Sequence, residues 1–154
     1  MPTLVKIHRS TAAGDATRRA ERERGQALIE FALVLPLFLL LLLGIVQFGT
    51  VFRDYIALTD ATRVGARQAA VARSILPESN RVPNIVARTE KAAVNLDKTK
   101  MTVAVEPVML DGLTAGWEQG GDVTVHATYP FKINIIGLVV FSGTLKSRTT
   151  ERVE

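Results

Sequence analysis

The 154-residue chain contains no cysteine and only two histidines, His8 and His126. Without cysteine there is no disulfide, no thiolate metal site and no attachment point for a lipoprotein anchor. The sequence also lacks a closely spaced histidine pair, a Gly-rich phosphate loop and a Gly-x-Ser-x-Gly segment, so it predicts no catalytic residues, no metal and no cofactor. The length allows one modest domain, or a smaller domain plus a tail, and excludes a large multidomain enzyme.

Charge is absent from residues 31–52, a run of 22 residues. As a helix this run reaches about 33 Å, and the hydrocarbon core of a bilayer is about 30 Å thick. The alternative is a buried core helix, but the rest of the chain is too short to cover a helix that is apolar on every side. The pattern therefore predicts a transmembrane helix over residues 26–52, with membrane lipid as a partner.

Basic residues are concentrated before the apolar run. Residues 1–25 hold six basic and three acidic groups, a balance of +3, whereas the whole chain is +4. This asymmetry predicts a single-pass protein with a cytoplasmic N terminus and an extracytoplasmic body, although Arg53, Arg63 and Arg67 weaken the rule. It also accounts for the pI of 9.8, so no nucleic acid partner is predicted. A cleaved secretory signal is disfavoured, because the run is long and no small-x-small pattern follows it.

The residues at the entrance to the apolar run form the most informative motif. Gly25 is followed by four residues and then by Glu30 and Phe31, which open the apolar helix. A carboxylate at the edge of the apolar phase is unfavourable unless it is paired, protonated or able to reach water. Glu30 therefore either marks the membrane interface or has a partner. Gly25 is either a flexible break or an accessible backbone site.

A Gly-x4-Glu-Phe motif before an apolar helix resembles the processing site of type IV prepilin-like proteins. The similarity continues through Gly25–Pro36 and Ala61–Arg67. Over roughly residues 24–72 the chain resembles the TadE-like family, minor pseudopilins of the Flp (tight adherence) pilus system. A weaker similarity to the family's late strand lies at Asp122–Phe131. The resemblance implies a pilin-like α+β fold in the bacterial inner membrane.

The resemblance also implies a maturation step. A membrane-embedded aspartic prepilin peptidase would cut between Gly25 and Gln26 and remove the leader, residues 1–25. Glu30 and Phe31 would then serve assembly, with Glu30 pairing with the free amine of a neighbouring subunit. The implied partners are the peptidase, other pilin or pseudopilin subunits and the pilus assembly machinery. The alternative is an uncleaved, single-span binding module, and an enzyme is not predicted.

The helix is predicted to continue outside the membrane over residues 53–76, which are rich in Ala, Leu and Arg and contain no proline. Inside the span, Pro36 removes the hydrogen bond to the carbonyl of Ala32. The resemblance implies a bend or local melting at Pro36, and a harmless kink is the general alternative.

Small residues and charges follow the helix extension at helical spacing. Asp60 and Arg63 are three residues apart and are predicted to form an ion pair. Arg63 and Arg67 are four apart and repel each other unless an acidic side chain pairs with one of them. A small-residue stripe predicts close packing, on the chain's own sheet, which we favour, or on other subunits. Its members are Tyr55, Leu58, Gly65, Ala69 and Ala72.

Residues 77–154 are predicted to form a small α+β domain with three or four antiparallel strands, against which the helix packs. Proline and glycine clusters mark its loops. The predicted elements are a loop from Leu76 to Asn84, a short helix from Pro83 to Leu96, a strand Lys100–Met109, a loop at Asp111–Gly116, a strand Val123–Tyr129 interrupted by Pro130, and a strand Gly143–Arg152.

The sequence allows more than one interpretation for two apolar features of this domain. Ile133–Phe141 is too short to span a bilayer as a helix. It is a buried strand, a short helix, or an exposed loop that contacts membrane or a partner. Trp117 is an interaction anchor or a local packing residue, and we favour local packing.

Overall fold

The computed structural model describes residues 11–108 and 117–154. A long apolar helix, a short helix and a three-stranded antiparallel sheet confirm the predicted α+β class. The chain divides into two compact units, Met1–Leu43 and Gly44–Glu154. In chain order the elements are α1 (Thr11–Ile75), α2 (Glu78–Ala92), β1 (Thr102–Val108), β2 (Asp122–Ile135) and β3 (Leu138–Arg152).

The first unit, as far as it is described, is a stretch of α1. The helix runs through Gly25 and Pro36 without interruption, so neither a break at Gly25 nor melting at Pro36 is observed, and a bend at Pro36 stays a prediction. Within the described residues, α1 is the one helix long and apolar enough to cross a membrane, judged by length and composition. None of its most apolar 18-residue window is buried, whereas a core helix would be largely covered.

The sheet belongs to the second unit and has the strand order β1-β2-β3. β1 begins where Thr102 pairs with Thr128 of β2. β2 and β3 stay paired much further, as far as Ile135 and Leu138. Residues 129–135 of β2 are therefore paired with β3 alone, and the two strands project beyond β1 as a hairpin.

Pro130 does not interrupt the second strand, contrary to the prediction. It lies inside β2, opposite Thr144 of β3, and the strand continues to Ile135. Proline has no N–H and is tolerated in a strand where that side of the backbone needs no partner. The ladder with β1 has already ended at Thr128, so the edge of β2 is open at Pro130.

The predicted loop up to Asn84 is wrong, because α2 already begins at Glu78 and contains Pro83. Pro77 is in an extended conformation and provides the break from α1. Glu78 places a carboxylate in the first turn, where the helix dipole favours it. Pro83 removes one hydrogen bond near the start of α2. Ile85, two residues later, is fully buried in the core.

The end of α2 also differs from the prediction. The helix stops at Ala92 rather than at Leu96. Asn95 has a φ of 69°, in the left-handed region that asparagine tolerates better than most residues and that no α-helix can include. The chain therefore turns here to enter β1.

Two buried clusters join α1, α2 and the sheet in the second unit. One contains Ala66, Ala69, Ala72, Ile85, Trp117, Val123, Val125 and Val153. The other contains Leu58, Ala61, Ala93, Leu96, Met101 and Ala127. The predicted stripe thus packs on the chain's own sheet, except for Tyr55, which is exposed. Trp117 is a local packing residue, as favoured.

Candidate processing and assembly site

The predicted processing motif lies within α1, and Gly25–Phe31 is helical throughout. A Cβ atom built on Gly25 would meet no other atom within 4 Å. Glycine in a helix interior is about 1 kcal/mol less favourable than alanine. Local packing therefore gives no structural reason for glycine at this position.

Gln26 and Glu30, which flank the predicted cut and begin the assembly motif, contact each other. The Gln26 side-chain amide donates a hydrogen bond of 3.1 Å from Nε2 to Glu30 Oε1. Both residues are exposed. An amide donor is neutral, so it leaves the charge of the carboxylate in place, and the carboxylate can still accept a cationic donor.

Phe31 opens the uncharged run and is exposed, as are the large apolar residues that follow it up to Leu43. In water such a surface is unfavourable by about 25 cal/mol per Å². In a bilayer it meets hydrocarbon instead, and the helix satisfies its own backbone hydrogen bonds. The exposed surface of this segment therefore suits lipid better than water.

The predicted charged residues of the helix extension lie in the second unit. Asp60 Oδ1 and Arg63 Nη1 are 3.5 Å apart, and both side chains are largely exposed. Such a pair contributes about 0.2–1 kcal/mol. Arg67 lines an open cavity of about 570 Å³ together with Glu151 and Glu154, which brings acidic groups to its side of the helix.

The opposite face of this helix segment has a polar contact that the sequence did not reveal. Thr62 is fully buried. Its hydroxyl donates a hydrogen bond of 2.8 Å to the carbonyl oxygen of Thr59. The same oxygen lies 2.9 Å from Ser147 Oγ and 3.1 Å from Thr149 Oγ1. Buried hydroxyls are normally hydrogen-bonded, so this cluster ties α1 to β3. The inward positions of Ser147 and Thr149 follow from strand alternation, but their partner does not.

Other polar residues add no second site to the described part of the chain. His126 Nε2 lies 3.0 Å from Glu106 Oε2 across β1 and β2. No group of three or more metal-binding side chains comes together among residues 11–108 and 117–154. His8 and the predicted loop Asp111–Gly116 lie outside the described residues.

Within residues 11–108 and 117–154, these features define one N-terminal apolar helix suited to membrane anchoring, followed by a small α+β domain. Residues 25–67 match the model of a family described as TadE-like protein. The match begins at Gly25 and extends through the apolar run to Arg67, and it confirms the resemblance predicted from the sequence. It indicates a protein related to the Tad pilus system. No curated protein and no solved structure matches the chain.

Proposed function

We propose that this chain is a minor pseudopilin, a membrane-anchored structural subunit in the assembly of a Flp-type pilus for adherence. A prepilin peptidase removes residues 1–25 before assembly. The observation that carries the proposal is the coincidence of two facts: the TadE-like match starts at Gly25, and the packing of the helix does not require a glycine there. The subunit has no catalytic role of its own.

In this proposal α1 crosses the bacterial inner membrane once. The leader, with its six basic groups, stays in the cytoplasm, and residues 53–154 lie on the extracytoplasmic side. The uncharged run supports the crossing, because it is long enough to span the hydrocarbon core as a helix. The exposed apolar side chains of α1 then face lipid or the helices of other subunits.

Cleavage after Gly25 requires the helix to unwind locally, because a protease binds its substrate as extended backbone. Glycine lowers the helical stability at this point by about 1 kcal/mol relative to alanine. The space around Gly25 is open, so unwinding there displaces no packed neighbour of that residue. The motif thus combines a weak point in the helix with free access.

Assembly in this proposal uses the amine that cleavage creates on Gln26. Glu30 of one subunit pairs with the Gln26 amine of the next, because each charge is unfavourable alone at the edge of hydrocarbon. Pairing offsets that desolvation only when the geometry is good. The hydrogen bond between Gln26 and Glu30 keeps the carboxylate on the helical face below the new N terminus.

Processing can be tested with two glycine substitutions in the same helix. Gly25→Ala and Gly49→Ala both introduce a methyl group into open space, so both variants fold. We expect co-expression with a prepilin peptidase to shorten the wild type and Gly49→Ala, while Gly25→Ala accumulates uncut. The readout is the mobility of the C-terminally tagged chain from the membrane fraction. Processing of Gly25→Ala at the wild-type rate contradicts the proposal, and a wild-type chain that is never cut favours the uncleaved binding module.

A further inference from the structure

We propose that the tip of the β2–β3 hairpin rests in the interfacial layer of the bilayer that α1 enters. The hairpin tip comprises Ile135–Phe141, the end of β2, the turn and the start of β3. The inference rests on the membrane-anchoring part of the proposed function and on neither cleavage nor pilus assembly. It assigns the apolar segment Ile133–Phe141, for which the sequence left three interpretations.

The hairpin tip is apolar and open. It lies within a run without charge from Ile133 to Leu145. The strand interpretation of this segment is right for the backbone, but its side chains are not buried. The exposed fractions are 79% for Ile136, 73% for Leu138, 57% for Val139, 62% for Val140 and 59% for Phe141. A contiguous exposed apolar patch of this kind marks a contact surface.

The turn retains an apolar residue in an unfavourable conformation. Ile136 has a φ of 52° and Gly137 a φ of 80°. The left-handed region is unfavourable for a β-branched residue, and two-residue hairpin turns of this kind favour Asn-Gly. Isoleucine is thus a poor turn former at position 136. What it supplies is an exposed apolar side chain at the most distant point of the hairpin.

Packing inside the second unit fixes the direction of the hairpin along α1. A Cβ on Gly65 would lie 3.3 Å from Cγ1 of Val125, so these two residues are at the same level. Leu58, earlier on α1, belongs to the cluster that Tyr129 borders. As β2 advances, its contacts therefore move back along α1. β2 runs antiparallel to α1, and the hairpin tip points towards the apolar end of this part of the helix.

Strand and helix geometry give the level that the hairpin tip reaches. From Val125 to Ile135 the strand advances about 33 Å, and the same distance along a helix takes about 22 residues. A strand inclined by about 40° to the helix still covers about 17 residues. With this inclination the end of β2 lies at the level of about residue 48 of α1, counted back from Gly65. Residue 48 belongs to the uncharged run 31–52.

The helix at this level is itself an open apolar surface. Ile45, Val46 and Phe48 are all exposed. A bilayer that surrounds these helical residues also reaches the hairpin tip. Lys132 and Lys146 border the uncharged run of the hairpin on its two strands, and long ammonium side chains at such positions reach lipid phosphates.

The backbone sets how deep the hairpin tip can go. Beyond Thr128 the hairpin has no neighbouring strand on either side within the described residues, because β1 has ended and β3 is an edge strand. Its outward N–H and C=O groups need water or headgroup oxygens, which hydrocarbon cannot supply. The hairpin tip therefore lies among headgroups and the upper acyl chains.

The absence of cysteine makes the test direct, since every single-cysteine variant carries one label site. Leu138→Cys places a fluorophore on the hairpin tip, and Arg148→Cys places the same fluorophore on an exposed position further along β3. The full-length chain is reconstituted in vesicles of phosphatidylethanolamine and phosphatidylglycerol. Ile45→Cys reports on the anchor helix itself. Quenching is measured with lipids brominated in the upper acyl chain and with aqueous iodide.

We expect the Leu138→Cys label to be quenched several-fold more strongly by brominated lipid than the Arg148→Cys label, and more weakly by iodide. Adding Ile136→Asn, which suits the turn and removes an apolar group, should shift the Leu138→Cys label towards iodide. Equal iodide quenching at both positions overturns the inference. A tip label shielded from both quenchers, with cross-links between copies, also overturns it and shows a second copy instead.

The anchor label separates this inference from the proposed function. Lipid quenching at Ile45→Cys without quenching at Leu138→Cys rejects the hairpin contact and leaves the anchor intact. Iodide quenching at Ile45→Cys rejects the membrane anchor, and the hairpin contact falls with it.

Discussion

Gly65 of α1 packs directly against the side chain of Thr89 of α2. A Cβ atom at position 65 would overlap the Thr89 hydroxyl and would come within 3.2 Å of Thr89 Cβ and 3.3 Å of Val125 Cγ1. The Thr89 hydroxyl donates a hydrogen bond of 2.7 Å to the carbonyl oxygen of Ile85, so it cannot move without losing that bond. Helix α1 thus approaches α2 and the sheet at once, at the one position of the stripe that has no side chain.

Gly65→Ala is therefore expected to destabilise the second unit by about 1–3 kcal/mol, the usual range for overpacking a core. The measurement is the thermal or urea unfolding of the purified chain in detergent. Gly49→Ala is the matched control, because it adds the same methyl group to the same helix in open space. Thr89→Ala in the Gly65→Ala background removes the overlapping hydroxyl and should restore part of the loss. A Gly65→Ala chain as stable as Gly49→Ala contradicts the packing described.

Thr62→Val should also be destabilising, although valine has nearly the same shape as threonine. The substitution leaves Ser147 Oγ and Thr149 Oγ1, both on half-buried residues, without their common partner, and the loss of such a hydrogen bond costs about 0.5–1.5 kcal/mol. Thr59→Val is the control, because its hydroxyl bonds only locally to the carbonyl of Tyr55. Equal unfolding midpoints for the two variants would show that the bond between α1 and β3 contributes nothing.

The turn between α2 and β1 predicts an acid-dependent contribution to stability. Hydrogen bonds from the Lys100 ammonium, the Thr99 hydroxyl and the Thr99 backbone N–H lower the pKa of Asp97 from 3.8 to about 2. A carboxyl group whose pKa is lower in the folded state stabilises the fold above its unfolded pKa, and that stabilisation disappears as the pH falls. The window here is from 3.8 down to about 2.

The measurement is the difference in melting temperature between wild type and Asp97→Asn as a function of pH. We expect a small positive difference at neutral pH, because the group is exposed and solvent screens it. The difference should shrink below pH 3.8. A melting-temperature difference that grows as the pH falls through this window would contradict the stabilising hydrogen bonds of the Asp97 carboxylate.

Glu30→Gln should leave membrane insertion intact and impair assembly. Removing a charge next to the apolar run makes the helix easier to insert, whereas a neutral amide cannot form an ion pair with a neighbour's amine. Resistance to carbonate extraction measures insertion, and co-purification with other pilus subunits measures assembly. Glu90→Gln, which changes a half-buried carboxylate on α2, is the control. Normal co-purification of the Glu30→Gln chain contradicts the assembly role.

Features within one helix were predictable because their spacing is fixed by the helix itself. The uncharged run 31–52 predicted an open apolar helix, and the spacing of Leu58, Ala69 and Ala72 predicted the face that packs on the sheet. The Gly25 and Glu30 motif predicted the match to the TadE-like model over residues 25–67, because its register with the apolar run is specific.

Features that depend on a distant strand were not predictable. Proline interrupts a strand where a neighbouring strand needs its N–H, and the sequence does not show that the ladder between β1 and β2 ends at Thr128. The Thr62 hydroxyl finds Ser147 at a separation of 85 residues, which no local pattern records. The exposure of the hairpin tip likewise follows from the pairing of β2 with β3 beyond β1, not from its composition.

The most direct test of cleavage after Gly25 is the intact mass of the chain purified from membranes of cells that contain the prepilin peptidase. We predict a membrane-resident chain that starts at Gln26, with or without the loss of ammonia that accompanies cyclisation of a terminal glutamine. A membrane-resident chain that still carries residues 1–25 in full, under conditions where a known prepilin substrate is cut, would contradict it.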